Sequence, residues 1–165
     1  MRIALDSNIL AYLAGVDRAP GDDAKIKASR ALLAKLSGRA TWVVPVQALG
    51  EVFVVLQRAG ASREEAQAIV LRFRQTFAAA ETSDPIFVSA LDLVVAHKLQ
   101  LWDALILTAA AESGCDMLAS EDMQNGFVWR GVTVVNPLTT PVHARLRAAL
   151  DGLAPVRLDD RAARL

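Results

Sequence analysis

Four acidic side chains carry the chemistry that this sequence can be expected to do: Asp6, Glu51, Asp103 and Asp122. Asp6 and Asp122 follow short apolar runs, Glu51 interrupts one, and Asp103 opens another, so each lies where a core element meets solvent. Gathered into one place, they would repel. Two like charges about 5 Å apart cost roughly 3 kcal/mol at an effective dielectric near 20. A helix N-terminus offsets only about 0.3–1 kcal/mol of that per carboxylate. A cluster of four therefore requires either protonation or a divalent cation. Oxygen-only donors suit hard ions such as Mg²⁺ or Mn²⁺, and no histidine or cysteine accompanies the four to suggest zinc. An ion held this way acidifies a water and neutralises a phosphate, and a pair of ions stabilises the attacking and leaving oxygens of a phosphoryl displacement.

Each acid also has a purely structural explanation. Asp6 and Asp103 stand where helices begin, and aspartate is a favoured N-cap. Asp122, in Ser120-Glu121-Asp122, can be a polar residue in a strand-to-helix turn, and Glu121 beside it is a fifth acid. Glu51 is harder to explain in this way. Val46, Leu49, Val52, Phe53, Val54, Val55 and Leu56 surround it, so its helix is apolar nearly all the way round, and a partly desolvated carboxylate there needs a partner.

The elements that must position these acids follow from pattern and punctuation. Arg2 to Leu5 reads as a buried strand, with Asp6-Ser7-Asn8 opening a helix through Leu13. A loop from Gly15 to Asp23 leads to a helix around residues 24–36, stopped by Gly38. Thr41 to Val44 is a second strand, and Pro45 suits the start of a helix to about Arg58. Ser62 with Glu65 has the capping-box spacing and starts a helix running to about Ala80. Asp84-Pro85 begins another, apolar at Val88, Leu91, Val95 and Leu99. A helix from Asp103 to Glu112, a strand over Asp116–Ala119 and a last strand over Val132–Val135 complete the body. Short apolar strands separated by helices describe an α/β fold, a mainly parallel central sheet covered on both faces in three α/β/α layers. In such a sheet the carboxyl ends of the strands share one rim, where ligands bind, and all four acids can reach it.

Residues 1–137 form the expected domain and residues 138–165 a C-terminal extension. There, Thr140 and Pro141 cap a helix to about Leu150, and an Arg/Asp-rich remainder is expected to be poorly ordered. Across 165 residues, 53% hydrophobic composition is high, yet no window is apolar for long enough to span a membrane, and the N-terminus lacks a secretory signal core. The excess implies a large core together with apolar surface hidden in a partner. The lone Cys115 rules out an internal disulfide and favours a reducing, cytoplasmic setting, with the thiol buried and inert. Zero formal net charge removes the broad electrostatic argument for nucleic-acid binding, so such contacts must come from a local basic patch or a bound cation. Arg58, Arg63, Arg72 and Arg74 are candidates for that patch. Lys25, Lys27, Arg30 and Lys35 do not hold a single helical stripe. Trp42, Trp102 and Trp129 read as core or interface residues, and His97 and His143 as ordinary ones.

The strand followed by Asp6-Ser7-Asn8, then Pro45-Val46-Gln47-Ala48-Leu49-Gly50-Glu51, Leu101-Trp102-Asp103-Ala104-Leu105-Ile106 and Leu118-Ala119-Ser120-Glu121-Asp122, resembles the PIN-domain nucleases. Within them it is most similar to the VapC toxins of bacterial toxin–antitoxin pairs, and Gly114-Cys115-Asp116 with Val134-Val135-Asn136-Pro137 completes the pattern. The resemblance covers Met1 to about Pro137. It implies cleavage of RNA with Mg²⁺ or Mn²⁺, with Asp6, Glu51, Asp103 and Asp122 as the acidic quartet. It also implies that Asn8 and Ser120 orient the carboxylates, and that the partners are a cognate antitoxin and a second copy in a homodimer. By the family pattern Asp122, two residues after Ser120, faces the metal rather than Glu121. The tail after Pro137 is longer than in compact toxins of this kind. The alternatives are a housekeeping PIN-type RNA-processing nuclease and a catalytically inactive interaction module. A dehalogenase-like phosphatase would need aspartate at position 8, where Asn8 stands, and a receiver domain would need one on the Thr41–Pro45 strand.

Overall fold

A computed structural model describes residues 1–17 and 19–153. The tail expected to be poorly ordered, from residue 154 on, lies outside them. The elements run β1 (Arg2–Leu5), α1 (Ser7–Ala14), α2 (Asp23–Lys35), β2 (Thr41–Pro45), α3 (Val46–Arg58), α4 (Arg63–Thr76) and β3 (Ala78–Ala80). They continue with α5 (Asp84–His97), α6 (Leu101–Glu112), β4 (Met117–Ala119), β5 (Val128–Trp129), β6 (Val132–Val135) and α7 (Ala144–Leu150). One six-stranded sheet takes the order β3-β2-β1-β4-β6-β5. Every neighbouring pair is parallel except β5 with β6. Helices flank this sheet, so the α/β layering expected from the sequence is the one observed.

The sheet's centre is buried on both faces, which is why its strands read as continuous apolar runs. Ile3, Ala4 and Leu5 of β1, all of β4, and all four residues of β6 are buried. Helix α6 is the most enclosed, buried without a break from Ala104 to Ala110. Its apolar residues form no stripe because both of its sides meet protein. Gly15 ends α1 in the left-handed region at φ 85°, donating its N–H to Ala11 and Tyr12 carbonyls. Only a residue without a Cβ adopts that conformation without strain, and it stops the helix after Ala14, within a turn of Tyr12, which α1 presents to α2.

Three departures from the sequence-based expectations have physical causes. Helix α4 ends at Thr76 rather than near Ala80, because Ala78-Ala79-Ala80 pairs with Val43-Val44-Pro45 as edge strand β3. Alanine favours helix locally, and the hydrogen-bonding edge of β2 overrides that preference. On α5 the predicted helix is present, but its Val88, Leu91 and Val95 face outward, with Val95 82% exposed, while Ile86, Ala90 and Leu93 are buried. Helix α7 begins at Ala144, with the His143 imidazole accepting from the Arg145 N–H at 3.2 Å, rather than at Thr140-Pro141. Leu146 and Ala149 dock α7 on the core. The capping box at the start of α4 forms as read, with Ser62 and Glu65 exchanging hydrogen bonds at 2.8 and 3.1 Å.

Cys115 is buried, and desolvation pushes its thiol up to about 11, so it stays protonated and unreactive at neutral pH. The nearby Arg2 charge opposes that shift and Asp116 adds to it. Among the described residues no helix is long and apolar enough to cross a membrane.

Candidate active site

The register of the sheet sets Asp6 beside Ser120. Leu5 pairs with Ala119, the Asp6 N–H donates to the Ala119 carbonyl at 3.0 Å, and the Ser120 N–H donates to Val135 at 3.0 Å. Both residues thus stand at the carboxyl ends of adjacent central strands, one step beyond the ladder. Asp6 is the N-cap of α1, as its residue type suggests. Its Oδ1 accepts from the Ser7 N–H at 2.6 Å and the Ser7 hydroxyl at 3.3 Å. Capping occupies one oxygen. The other, Oδ2, accepts from the Ser120 hydroxyl at 2.7 Å, and Ser120 Oγ in turn accepts from the Met123 N–H at 3.2 Å.

Asp6 is 3% exposed. Burial is the largest influence on it and raises its pKa to about 6 from an ordinary 3.8, with the Asp103 and Glu51 charges adding to the rise. The hydrogen bonds from Ser120 and Ser7 oppose it. Asp103 lies in the first turn of α6, whose N-cap is Gln100, so capping does not account for it. Its carboxyl is also raised, first by burial and then by the charges of Glu51 and Asp122. Glu51, in the second turn of α3, accepts weakly from Gln47 Nε2 at 3.5 Å, one helical turn back. Asp122 Oδ2 accepts from the Asn8 side-chain amide. The acids from four separated segments therefore feel one another's charge.

All four line a single open cavity of about 510 Å³, with Ser7, Asn8, Gln47, Gly50, Gln100 and an apolar wall of Val54, Val55 and Trp102. Ser120 is fully buried beneath it. Arg58 lines the same cavity. Arg63 lines a separate depression with Phe53, Glu64 and Gln67. Arg72 and Arg74 are solvent-exposed on α4. Trp102, read from the sequence as core or interface, is 52% exposed at the cavity's edge. Neither histidine lines it. His97 packs edge-on against Phe127 and Trp129 at 5.2 and 5.8 Å, and His143 caps α7.

The two consecutive acids after β4 part company. Asp122 lines the cavity, whereas Glu121 turns to the opposite side and meets Lys25 and Tyr12. Lys25 Nζ lies 2.5 Å from Glu121 Oε1 and 3.1 Å from Asp22 Oδ1, and the Tyr12 hydroxyl donates to Glu121 Oε2 at 2.6 Å. These contacts hold the Lys25 ammonium firmly charged, the Glu121 bond most of all. Sequence reasoning passed over this network, because Lys25 read as one member of an ordinary solvated basic face. Gln47 was missed too, although its position four residues before Glu51 on one helix was a usable signal.

Among the described residues no three His, Cys, Asp or Glu side chains stand close enough to enclose an ion in their present positions. The donor set nevertheless fits a hard divalent cation: oxygens only, directed at one cavity, with two carboxyls driven up first by burial and further by one another's charge. Glu51 has three rotatable bonds with which to close the set.

The chain belongs to a known family, the PIN domain, whose model matches residues 3–125. Solved structures it is similar to include a VapC toxin, a toxin–antitoxin complex and a VapBC protein. One is VapC20 of Mycobacterium tuberculosis, a sarcin-ricin loop cleaving toxin, with 20% identity, TM-score 0.59, and coverage of 73% of this chain and 89% of that one. A toxin–antitoxin complex from Klebsiella pneumoniae gives 21% identity and TM-score 0.60 over 82% and 97% of the two chains. VapBC2 from Rickettsia felis, bound to a promoter DNA fragment, gives 16% identity and TM-score 0.55 over 73% and 87%. At these identities the likeness is one of fold. No curated protein matches the chain in sequence.

Proposed function

We propose that this chain is a metal-dependent endoribonuclease, the toxin of a toxin–antitoxin pair, acting in the cytoplasm. The observation that carries the reading is the convergence of Asp6, Glu51, Asp103 and Asp122 on one cavity, with Asp6 and Asp103 raised partly by the charges of the others. Asp6, Glu51, Asp103 and Asp122 would hold Mg²⁺ or Mn²⁺. When bound, the ion supplies positive charge that neutralises a phosphate and acidifies a water. Ser120 and Asn8 orient the carboxylates of Asp6 and Asp122 through the hydrogen bonds described. Arg58, on the same cavity, is placed to meet a phosphodiester, whereas Arg63, Arg72 and Arg74 stand outside the cavity and would touch only a longer RNA.

The open cavity leaves room for more than an ion and a phosphate, and its Val54–Val55–Trp102 wall suits an apolar side chain of an antitoxin segment. The outward stripe of Val88, Leu91 and Val95 on α5 supports a homodimer, since such a row is rarely left in water. A housekeeping RNA-processing role would use the same site without an antitoxin.

The test is cleavage of total cellular RNA by the purified chain. Activity is expected with Mg²⁺ or Mn²⁺, none with EDTA, and a loss of at least 100-fold in Asp103→Asn with the fold intact. Equal cleavage by Asp103→Asn would remove the site. Growth arrest on expression, relieved by the product of an adjacent gene, separates the toxin from a housekeeping nuclease.

A further inference from the structure

We propose that Lys25 and Tyr12 are positioning residues for Asp122: by clamping the adjacent Glu121 they fix the turn after β4 and keep a fifth carboxylate out of the cavity. The inference rests on the metal-site reading above.

Two acids in succession present a problem that the structure answers. Both follow β4 at the rim, and either could swing toward a cation. Asp122 is held toward the cavity by Asn8, from the β1–α1 junction. Glu121 has each carboxylate oxygen engaged away from it, Oε1 by Lys25 at 2.5 Å and Oε2 by the Tyr12 hydroxyl at 2.6 Å. The clamp is itself fixed. Lys25 Nζ is 3.1 Å from Asp22, a 3% exposed carboxylate whose other oxygen accepts from the Ala19 N–H at 2.8 Å, and 3.2 Å from the Tyr12 hydroxyl. Tyr12 is 1% exposed on the helix that Asp6 caps. The backbone of the same turn is tied on the far side, where Asn136 Nδ2 donates to the Glu121 carbonyl at 3.1 Å.

Glu121 is thus held from α1, α2 and the segment after β6, none of which carries it. Without Lys25, Glu121 and Asp22 lose the cation between them. Glu121 then retains the Tyr12 hydroxyl but not the ammonium, and the turn that carries Asp122 is held less rigidly. Groups that orient metal ligands in this way typically affect metal affinity or activity by about 10- to 100-fold.

The experiment is Mn²⁺ binding to the full chain, by electron paramagnetic resonance of the free ion, for wild type, Lys25→Met, Lys25→Arg, Tyr12→Phe, Glu121→Gln and Asp122→Asn. The expected result is Mn²⁺ affinity about 10-fold or more weaker in Lys25→Met, largely restored in Lys25→Arg, and intermediate in Tyr12→Phe. Glu121→Gln should weaken binding less than Asp122→Asn does. Tyr12→Phe keeps the ion pair and the ring, so it carries the test should Lys25→Met not fold. Wild-type affinity in both Lys25→Met and Tyr12→Phe would overturn the clamp, as would tighter binding in Lys25→Met, which would make Glu121 a ligand in waiting. A wild-type chain that binds no Mn²⁺ would instead overturn the metal-site reading beneath it.

Discussion

Asp6→Asn should make the metal-free protein more stable, and the size of the gain can be worked out. A buried carboxyl whose pKa rises from 3.8 to about 6 holds its proton more tightly in the folded chain than in the unfolded one. Stability therefore falls as pH rises through that window, and above pH 6 the full penalty applies, about 3 kcal/mol at ~1.4 kcal/mol per pKa unit. Asparagine removes the charge but not the hydrogen-bonding demands. Its amide oxygen still accepts from Ser7, but its NH₂ faces the Ser120 hydroxyl, which must turn from donor to acceptor. Ser120 Oγ already accepts from Met123, so its own hydrogen is left without a partner, a cost of about 1–2 kcal/mol. The net gain is about 1–2 kcal/mol, or roughly 3–6 °C for a chain of this size. Thermal unfolding in EDTA from pH 4 to pH 8 reads it directly. The variant should be the less stable of the two near pH 4, by about 1 kcal/mol, because the hydrogen-bond cost stands alone there; the curves should cross near pH 5, and the variant should lead above pH 6. Saturating Mn²⁺ should reverse the order, because only the wild type gains fully from the ion. A variant no more stable than wild type at pH 8 in EDTA, or a difference independent of pH, would refute the account of Asp6.

Ser120→Ala takes a donor from buried Asp6 and an acceptor from the Met123 N–H at once, so urea unfolding at pH 7 should show a loss of about 2–4 kcal/mol. Val95→Lys, at a position 82% exposed, should leave monomer stability within about 0.5 kcal/mol while shifting a homodimer toward monomer in sedimentation; an unchanged dimer would move the interface off α5. The Asp103→Asn cleavage assay and the Lys25 and Tyr12 titrations described above complete the set.

The central strands were legible because burial on both faces leaves a signature that needs no partner: Ile3 to Leu5, Met117 to Ala119 and Val132 to Val135 are apolar without alternation. The acids were legible for a related reason, since parallel strands of known direction place their carboxyl ends on one rim. Elements whose existence depends on a neighbour were not. Ala78 to Ala80 becomes a strand only because β2 offers a free edge, and Val128-Trp129 is two residues long. On α5 the apolar spacing identified a helix but not its inner face, because Ile86, Ala90 and Leu93 form an equally good stripe. In the site, Asn8 and Ser120 were reached through motif resemblance. The separation of Glu121 from Asp122 rests on Lys25 and Tyr12, remote in sequence from both, and nothing local announces such a pairing.

The sheet finishes on one side in three alanines and on the other in a two-residue strand running opposite to its neighbour. Borders so brief offer an incoming chain too few backbone groups for lasting strand addition, which guards against edge-to-edge aggregation. Whatever assembles with this molecule must therefore grip it by side chains, and its specificity will be open to point substitution.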